Sequence, residues 1–189
     1  SFLLALRITK TLGDDKCREV YDLLDGAKYF FDSYPFMNAM EYGDPKSHPI
    51  HYPNDMMDSR LFLGGYDLAG EWKIVDGLKV THIINCTAEC ENIHEEQGII
   101  YHQISISDED DKPIYKYFKG AYNFIGRALE EDFDNKVLVH CARGMSRSAT
   151  IVIMYMMRSM MWSYEKALDY VQKRRAIVNP NYGFIKQLQ

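Results

Sequence analysis

Residues 136–157 have the sequence KVLVHCARGMSRSATIVIMYMM, in which two apolar runs are separated by a short polar segment. The first run, VLV, is typical of a strand buried on both faces, and it predicts a strand that ends at Cys141. In the second run, apolar residues recur at helical spacing without proline or glycine, which predicts a helix beginning near Arg147. Because only residues 142–146 lie between them, one tight loop must join the strand to the helix.

A loop between a buried strand and a helix N-terminus forms an anion-binding site. Unpaired N–H groups and the positive end of the helix dipole converge there, and Gly144 allows a positive φ or a close approach of the backbone to a ligand. The guanidinium of Arg147 can bind two phosphate oxygens at once. The residues predicted to bind phosphate are Ala142, Arg143, Gly144, Met145, Ser146 and Arg147.

Cys141 is expected to lie at the floor of this loop. The field that binds phosphate also stabilises a thiolate, so the thiol pKa is expected to fall from about 8.5 into the range of roughly 3.5–7.5. A cysteine at the end of a buried strand is more often an inert core residue. Gly144 and Arg147, however, have no packing role in an apolar setting, and we therefore predict that Cys141 is a nucleophile.

The pattern H-C-x-x-G-x-x-R-S at residues 140–148 resembles the signature of the cysteine-dependent protein tyrosine phosphatases, and HCARGMSRSAT resembles their dual-specificity branch. Further segments resemble that branch in the same order: RLFLGG at 60–65, VTHIINCTAE at 80–89, YHQISISD at 101–108 and ALDYVQKRRAIVNPNYGFIKQL at 167–188. Several ordered matches are more specific than a lone motif. The resemblance covers residues 56–189.

The resemblance implies a phosphocysteine mechanism that needs no cofactor and no metal. It implies that Ser148 stabilises the departing thiolate of Cys141, although a serine here is also an ordinary residue of a first helical turn. For His140 it implies a bracing role through hydrogen bonds, rather than direct proton transfer.

Cleavage of a phosphate ester by a thiol also needs an acid for the leaving group and later a base for water. The acidic segment SDEDD at 107–111 follows a strand-like alternating segment. The resemblance places the acid at Asp108, with Asp110 as the alternative and Glu109 and Asp111 as weaker candidates. The other carboxylates are expected to belong to a solvated acidic loop.

Alternating strand and helix patterns predict an α/β fold with a single domain. Its central sheet is expected to be mixed and mostly parallel, with helices on both faces and the phosphate-binding loop between a strand and a helix N-terminus. One helix is predicted at 67–78, with Asp67 as its N-cap and Gly77 as its C-cap. A strand at 80–86 follows it. Three consecutive basic residues at 173–175 are expected to form a solvated last helical turn.

The catalytic domain is predicted to span residues 56–189. Residues 1–55 are predicted to form a helical extension and connector that packs on this domain, with a helical stripe within residues 14–31. A kinase-docking or regulatory role of the extension is the alternative. The chain begins at Ser1 rather than at methionine, which is expected of a trimmed chain.

The composition excludes several classes of partner and compartment. With 22 Lys and Arg against 27 Asp and Glu, the chain has no general nucleic-acid or membrane surface, so phosphate binding must be local. It has no run of about 18 apolar residues for a membrane span. The four cysteines show neither a disulfide framework nor zinc-site spacing, which favours the cytoplasm, with the nucleus as an alternative.

Two of these cysteines, Cys86 and Cys90, follow a strand that neighbours the Cys141 strand in the fold implied by the resemblance. One of them could capture an oxidised Cys141 as a disulfide. The interpretation that we favour is that both are small buried hydrophobes.

We predict a protein phosphatase that acts on phosphotyrosine and on phosphoserine or phosphothreonine. The partner is then a phosphorylated protein, with a protein kinase as one candidate. The loop lacks the lysines that inositol-lipid relatives place in the signature, since Arg143 is its only cation besides Arg147. Alternatives are a phosphatase of phosphoinositide, glucan or RNA on the same loop, a weakly active phospho-binding module, and a scaffold. The presence of Cys141, Arg147 and Asp108 together disfavours the last two.

Overall fold

The computed structural model describes residues 52–189. The helix predicted within residues 14–31, and nearly all of the predicted extension at 1–55, lie outside the described residues. Among the helices of residues 52–189, none has both the length and the apolar character needed to cross a membrane.

The described residues form five strands and six helices. The strands are β1 Asn54–Met57, β2 Leu61–Gly65, β3 His82–Asn85, β4 Ile100–Gln103 and β5 Val137–Cys141. The helices are α1 Tyr66–Ala69, α2 Trp72–Gly77, α3 Tyr115–Glu131, α4 Arg147–Met160, α5 Tyr164–Arg174 and α6 Tyr182–Leu188.

The strands form one sheet in the order β1-β2-β5-β3-β4. All neighbours are parallel except β1, which pairs antiparallel with β2. The predicted mixed, mostly parallel sheet is confirmed. The central strand β5 is buried along its whole length and ends at Cys141, as its apolar run predicts. The carboxyl ends of β2, β5 and β3 therefore meet at one edge of the sheet, where ligands bind in folds of this class.

The two faces of the sheet pack against different helices. Val137, Val139 and Cys141 of β5 join the main core, to which α3, α4, α5 and α6 contribute. Leu138 points to the opposite face because side chains alternate along a strand. On that side α1 contacts β2 and β5 and leads into α2, and the two helices bury Leu68, Ala69, Ile74 and Val75. Helices on both faces were predicted and are confirmed.

The single helix predicted at 67–78 is wrong, because two short helices occupy this segment. Gly70 ends α1, with its N–H donating to Tyr66 O at 2.7 Å, and Glu71 is the N-cap of α2. Neither Asp67 nor Gly77 is a cap, since both lie inside helices. A glycine in the middle of a short helical segment costs enough conformational entropy for the segment to break there.

Candidate active site

The loop at 142–146 turns its carbonyl groups outward. Tyr66 N donates to Ala142 O at 3.2 Å, Arg175 to Arg143 O at 3.0 Å and to Gly144 O at 2.9 Å, and Asn179 N to Met145 O at 2.9 Å. Because these carbonyls are held on the outside, the amide N–H groups of the loop face its interior. The interior is therefore lined with hydrogen-bond donors, as an anion site requires.

Gly144 makes this loop geometry possible. Its φ is +66°, in the left-handed region that favours glycine. A Cβ at this position would collide with the backbone carbonyl of Gly64 on β2. The predicted need for glycine is thus confirmed, and it arises both from the positive φ and from the close approach of the loop to β2.

The thiol of Cys141 lies beneath the loop and is 2 % exposed. Its Sγ accepts hydrogen bonds from Gly144 N and from Ser148 Oγ, each at 3.2 Å. Burial raises the pKa of the Cys141 thiol, but hydrogen bonds from the Ser148 side chain and from the backbone of Ser148, Met145 and Gly144 outweigh it. The net result is a lowered pKa, in the direction that the sequence predicts.

Arg147 begins α4 and is 5 % exposed. Glu89 binds its guanidinium in a bidentate manner, with Nη2–Oε1 at 2.8 Å and Nη1–Oε2 at 3.1 Å, and Ile106 O accepts from Nη1 at 3.1 Å. Burial lowers the pKa of Arg147, but the hydrogen bond to Glu89 and the charges of Cys141, Glu89 and Asp108 raise it overall. The buried Nε has no hydrogen-bond acceptor among the described residues, since the Oδ2 atom of Asp108 is 3.9 Å away.

Asp108 is the only one of the four candidate carboxylates that lines the same cavity as Cys141 and Arg147, a space of about 480 Å³. Its Oδ1 accepts hydrogen bonds from Ser146 Oγ at 2.6 Å and from Asn181 Nδ2 at 2.8 Å. The other three carboxylates make contacts elsewhere: Asp110 accepts from Gly183 N at 3.3 Å, and Glu109 and Asp111 pair with Lys112 at 2.8 Å and 3.7 Å.

His140 is buried on the side of the sheet opposite to the thiol, where its ring lies 5.9 Å from that of Tyr66. Burial lowers the pKa of His140 to about 4, with the Arg147 charge adding to the effect and a hydrogen bond to the backbone of Cys141 opposing it. The buried Nδ1 of His140 has no hydrogen-bond partner among the described residues, so the bracing role of His140 stays a prediction.

Comparison with known proteins identifies the chain. Residues 61–189 match the family described as "Dual specificity phosphatase, catalytic domain". The chain belongs to the dual specificity phosphatase family. The phosphatase domain is 33 % identical over 138 residues to a probable rhodanese domain-containing dual specificity protein phosphatase of Dictyostelium discoideum. It is 40 % identical over 129 residues to a Slingshot homolog protein phosphatase of Xenopus laevis.

These alignments cover 73 % and 68 % of this chain, but only 28 % and 18 % of the Dictyostelium and Xenopus proteins. The chain thus spans less than a third of the length of these curated relatives. Among solved structures, DUSP15 is 32 % identical and superposes with a TM-score of 0.67 over 72 % of this chain and 84 % of its own.

Three residues that contact the site of this phosphatase domain were not predicted from the sequence. Glu89 holds Arg147, Asn181 holds Asp108 and donates its backbone N–H to Ser146 Oγ at 3.0 Å, and Arg175 holds the loop carbonyls. Glu89 could have been found from its position shortly after β3, because the carboxyl ends of neighbouring parallel strands such as β3 and β5 lie at the same edge of the sheet. For Asn181 the sequence offered only its place in a segment that resembles the family.

Arg175 also corrects a prediction. The sequence predicts that residues 173–175 form a solvated last turn, but Arg175 is only part-exposed and uses its guanidinium on the loop and on Asn54 Oδ1 at 2.8 Å. A run of basic residues in the sequence predicts the charge of a helix end but not the direction in which each side chain points. Which of the three cations turns inward depends on where the loop carbonyls lie in the folded domain.

The free cysteines Cys86 and Cys90 differ in their relation to Cys141. Asn85 of β3 pairs with His140 of β5, so the next residues, Cys86 and Cys141, lie side by side. Burial raises the pKa of the Cys86 thiol well above its ordinary value, and the neighbouring Cys141 adds to the increase. Cys90 lies farther along the following loop and is part-exposed. Within residues 52–189, no group of three His, Cys, Asp or Glu side chains is arranged to hold a metal ion.

Proposed function

We propose that this dual specificity phosphatase domain hydrolyses phosphotyrosine and phosphoserine or phosphothreonine in proteins through a phosphocysteine intermediate. The observation that carries the proposal is the environment of Cys141. Its sulfur accepts hydrogen bonds from Gly144 N and Ser148 Oγ at 3.2 Å, and its thiol pKa is lowered despite burial. A buried thiol that is stabilised as a thiolate beneath a ring of amides is a ready nucleophile for a bound phosphate.

In the first step, the Cys141 thiolate attacks phosphorus, so that the S–P bond forms while the bond to the leaving oxygen breaks. The inward-facing amides and the unpaired Nε–H of Arg147 bind the non-bridging oxygens, and the bidentate contact with Glu89 keeps the guanidinium in place. Asp108 protonates the leaving oxygen. Since Ser146 and Asn181 occupy its Oδ1, Oδ2 is the oxygen that carries the proton.

In the second step, water attacks the phosphocysteine, and Asp108 takes up the proton that water loses. The S–P bond breaks, inorganic phosphate forms, and Cys141 leaves as a thiolate. The hydroxyl of Ser148, 3.2 Å from the sulfur, stabilises this leaving thiolate. His140 braces the loop without exchanging protons with the substrate.

We further propose that residues 56–189 are the catalytic domain and that residues 1–55 are an extension of it. The substrate partner is a phosphorylated protein, with a protein kinase as one candidate. The cytoplasm is the proposed compartment, with the nucleus as the alternative, because a reactive thiolate beside free cysteines persists best in a reducing environment.

Rapid quench with a radiolabelled phosphotyrosine peptide tests the mechanism. Label should appear on the wild-type protein, should map to Cys141, and should be absent from Cys141→Ser. Steady-state rates on phosphotyrosine, phosphothreonine and doubly phosphorylated peptides should exceed those on phosphoinositide, phosphoglucan and 5′-phosphorylated RNA. Faster turnover of any non-protein substrate, or unchanged turnover in Cys141→Ser, would contradict the proposal.

A further inference from the structure

A second cavity of about 620 Å³ opens beside the candidate active site and shares part of the phosphate-binding loop with it. Its charged lining residues are Asp67, Arg143, Arg174 and Arg175. Although the whole chain carries a net charge of −5, this lining therefore has an excess of positive charge. An anionic group is favoured here, next to the place proposed for the scissile phosphate.

Arg143 is the cation best placed to bind such a group. It lines both cavities, and its exposed side chain makes no hydrogen bond or ion pair with residues 52–189. Its backbone, in contrast, is fixed, since Arg175 Nη2 donates to Arg143 O at 3.0 Å and the next residue packs against β2. An ordinary surface arginine is solvated and has no anchored base, whereas Arg143 lies at the boundary of two cavities on a braced loop.

The other charged residues of this cavity are already engaged. The guanidinium of Arg175 bonds to the loop carbonyls and to Asn54. Burial lowers the pKa of Arg175, and the charge of Asp67 opposes this effect, so Asp67 acts on Arg175. Arg174 stacks 3.5 Å from the ring centre of Tyr170. Among the described lining residues, Arg143 is thus the cation whose donors are all free.

We propose that Arg143 is a specificity residue that binds an anionic side chain close to the phosphorylated residue of a peptide substrate. The inference rests on the proposed function of the site. Cys141 and Arg143 both line the first cavity, so a phosphate at Cys141 and an anion at Arg143 fit neighbouring side chains of one peptide.

The remaining lining favours a peptide over a lipid headgroup. Ile177, which is 50 % exposed, and Leu68 give the second cavity an apolar wall beside its cations. The aliphatic stem of a glutamate can contact such a wall while its carboxylate pairs with Arg143. An inositol headgroup carries an oxygen on every ring carbon and has no comparable aliphatic stem for this wall.

A charge-reversal experiment tests the inference. One phosphotyrosine peptide is made with Glu, Gln or Lys at each of the two positions on either side of the phosphotyrosine. The Glu-to-Lys ratio of kcat/KM is measured for the wild type, for Arg143→Glu and for Arg127→Glu. Arg127 is a matched control, because it is an exposed arginine of α3 that lines neither cavity. The ratio is taken within each variant, so any general change of activity cancels.

At one of these positions, the wild type should prefer Glu over Lys by roughly tenfold at low salt, and high salt should reduce the preference. Arg143→Glu should invert the ratio, and Arg127→Glu should preserve it. A peptide with phosphoserine in place of this Glu shows whether the bound anion is a carboxylate or a second phosphate. A preference for either residue that depends on Arg143 supports the inference.

Four outcomes would overturn the inference. Equal rates for the Glu and Lys peptides at every position, or a preference that Arg143→Glu leaves unchanged, would show that Arg143 does not select an anion. Faster turnover of a phosphoinositide in phosphatidylcholine vesicles than of the Glu peptide would replace the peptide with a lipid. Failure of the wild type to hydrolyse even a simple aryl phosphate would instead overturn the proposed function, and this inference with it.

Discussion

The carboxyl ends of β5 and β3 place two free, buried cysteines side by side, Cys141 and Cys86, yet their pKa values move in opposite directions. Burial raises the pKa of both thiols. Cys141 also accepts hydrogen bonds from Ser148 and from loop amides, which reverse the effect of burial. No hydrogen bond reaches the sulfur of Cys86 within the described part of the chain, so its pKa stays raised.

The difference shows that the loop after a strand, rather than the strand itself, creates the reactive group. The loop after β5 contains Gly144 and bends back over its own cysteine. The loop after β3 gives its cysteine no hydrogen bond and contributes Glu89, which holds Arg147. One strand end thus provides the nucleophile and the other fixes the charge beside it.

The largest expected effect comes from exchanging the two thiols for hydroxyls. Cys141→Ser should lower kcat/KM for an aryl phosphate by at least about a thousandfold, because a neutral hydroxyl replaces a thiolate nucleophile. Cys86→Ser should keep most of the activity, since the raised thiol pKa leaves Cys86 protonated. Steady-state kinetics measure the activity of both variants, and circular dichroism checks that both are folded. Equal losses of activity would show that the two thiols do not differ in function.

The next effect concerns the charge that the β3 loop holds in place. Arg147→Lys should lower kcat/KM by roughly 10²–10³-fold although the charge is kept, because lysine cannot form the bidentate contact. Glu89→Gln leaves Arg147 intact and weakens only its anchor, so a loss of about tenfold is expected. If Arg147→Lys is nearly as active as the wild type, the guanidinium geometry does not contribute to catalysis. The role assigned to Glu89 on the β3 loop is then wrong.

The proposed general acid, Asp108, belongs to neither of these strand ends, because it lies on the loop after β4. Asp108→Asn should slow aryl phosphates with poor leaving groups by about 10²-fold and those with good leaving groups much less, because only a poor leaving group needs a proton from the acid. Asp110→Asn is the matched control and should keep the wild-type rates, since Asp110 bonds to Gly183 outside the cavity. The reverse result would transfer the acid role to Asp110.

Removal of one hydrogen bond should bring Cys141 closer to the behaviour of Cys86. Ser148→Ala deletes a donor that favours the thiolate, so the pKa of the Cys141 thiol should rise. The thiolate fraction at a given pH then falls, and the acid limb of kcat/KM moves to higher pH. The pH dependence of alkylation in a Cys86→Ser background reports this pKa directly. An unchanged pKa would mean that the amides alone stabilise the thiolate.

The smallest effect appears only after oxidation. Mild peroxide should convert Cys141 to a sulfenic acid, and the adjacent Cys86 can then displace water from it and form a disulfide. The raised pKa of Cys86 makes this capture slow, so a partial yield is expected. Peptide mapping should find the Cys141–Cys86 bridge, with activity restored by dithiothreitol. A bridge to Cys90, or sulfinic acid without any bridge, would reduce Cys86 to a packing residue.

The parts of the site that lie close together along the chain could be predicted from the amino-acid sequence. The strand ending at Cys141, the helix beginning at Arg147 and the glycine between them follow from apolar periodicity, backbone sterics and helix-terminus electrostatics, which act over a few residues. The order of elements was likewise enough to predict a mostly parallel sheet with helices on both faces. The break of the helix predicted at 67–78 was missed because its apolar pattern continues across Gly70.

The distant side chains that complete the site could not be predicted in this way, because they meet only in the folded domain. Glu89 lies 58 positions from Arg147, Asn181 lies 73 from Asp108, and Arg175 lies 31 from Gly144. A charged or amide residue on a loop has the same local pattern whether it is solvated or bonded. Its partner is fixed only when the sheet brings strand ends together and buried donors and acceptors must be paired. The register of β3 against β5, rather than any spacing in the sequence, likewise set Cys86 beside Cys141.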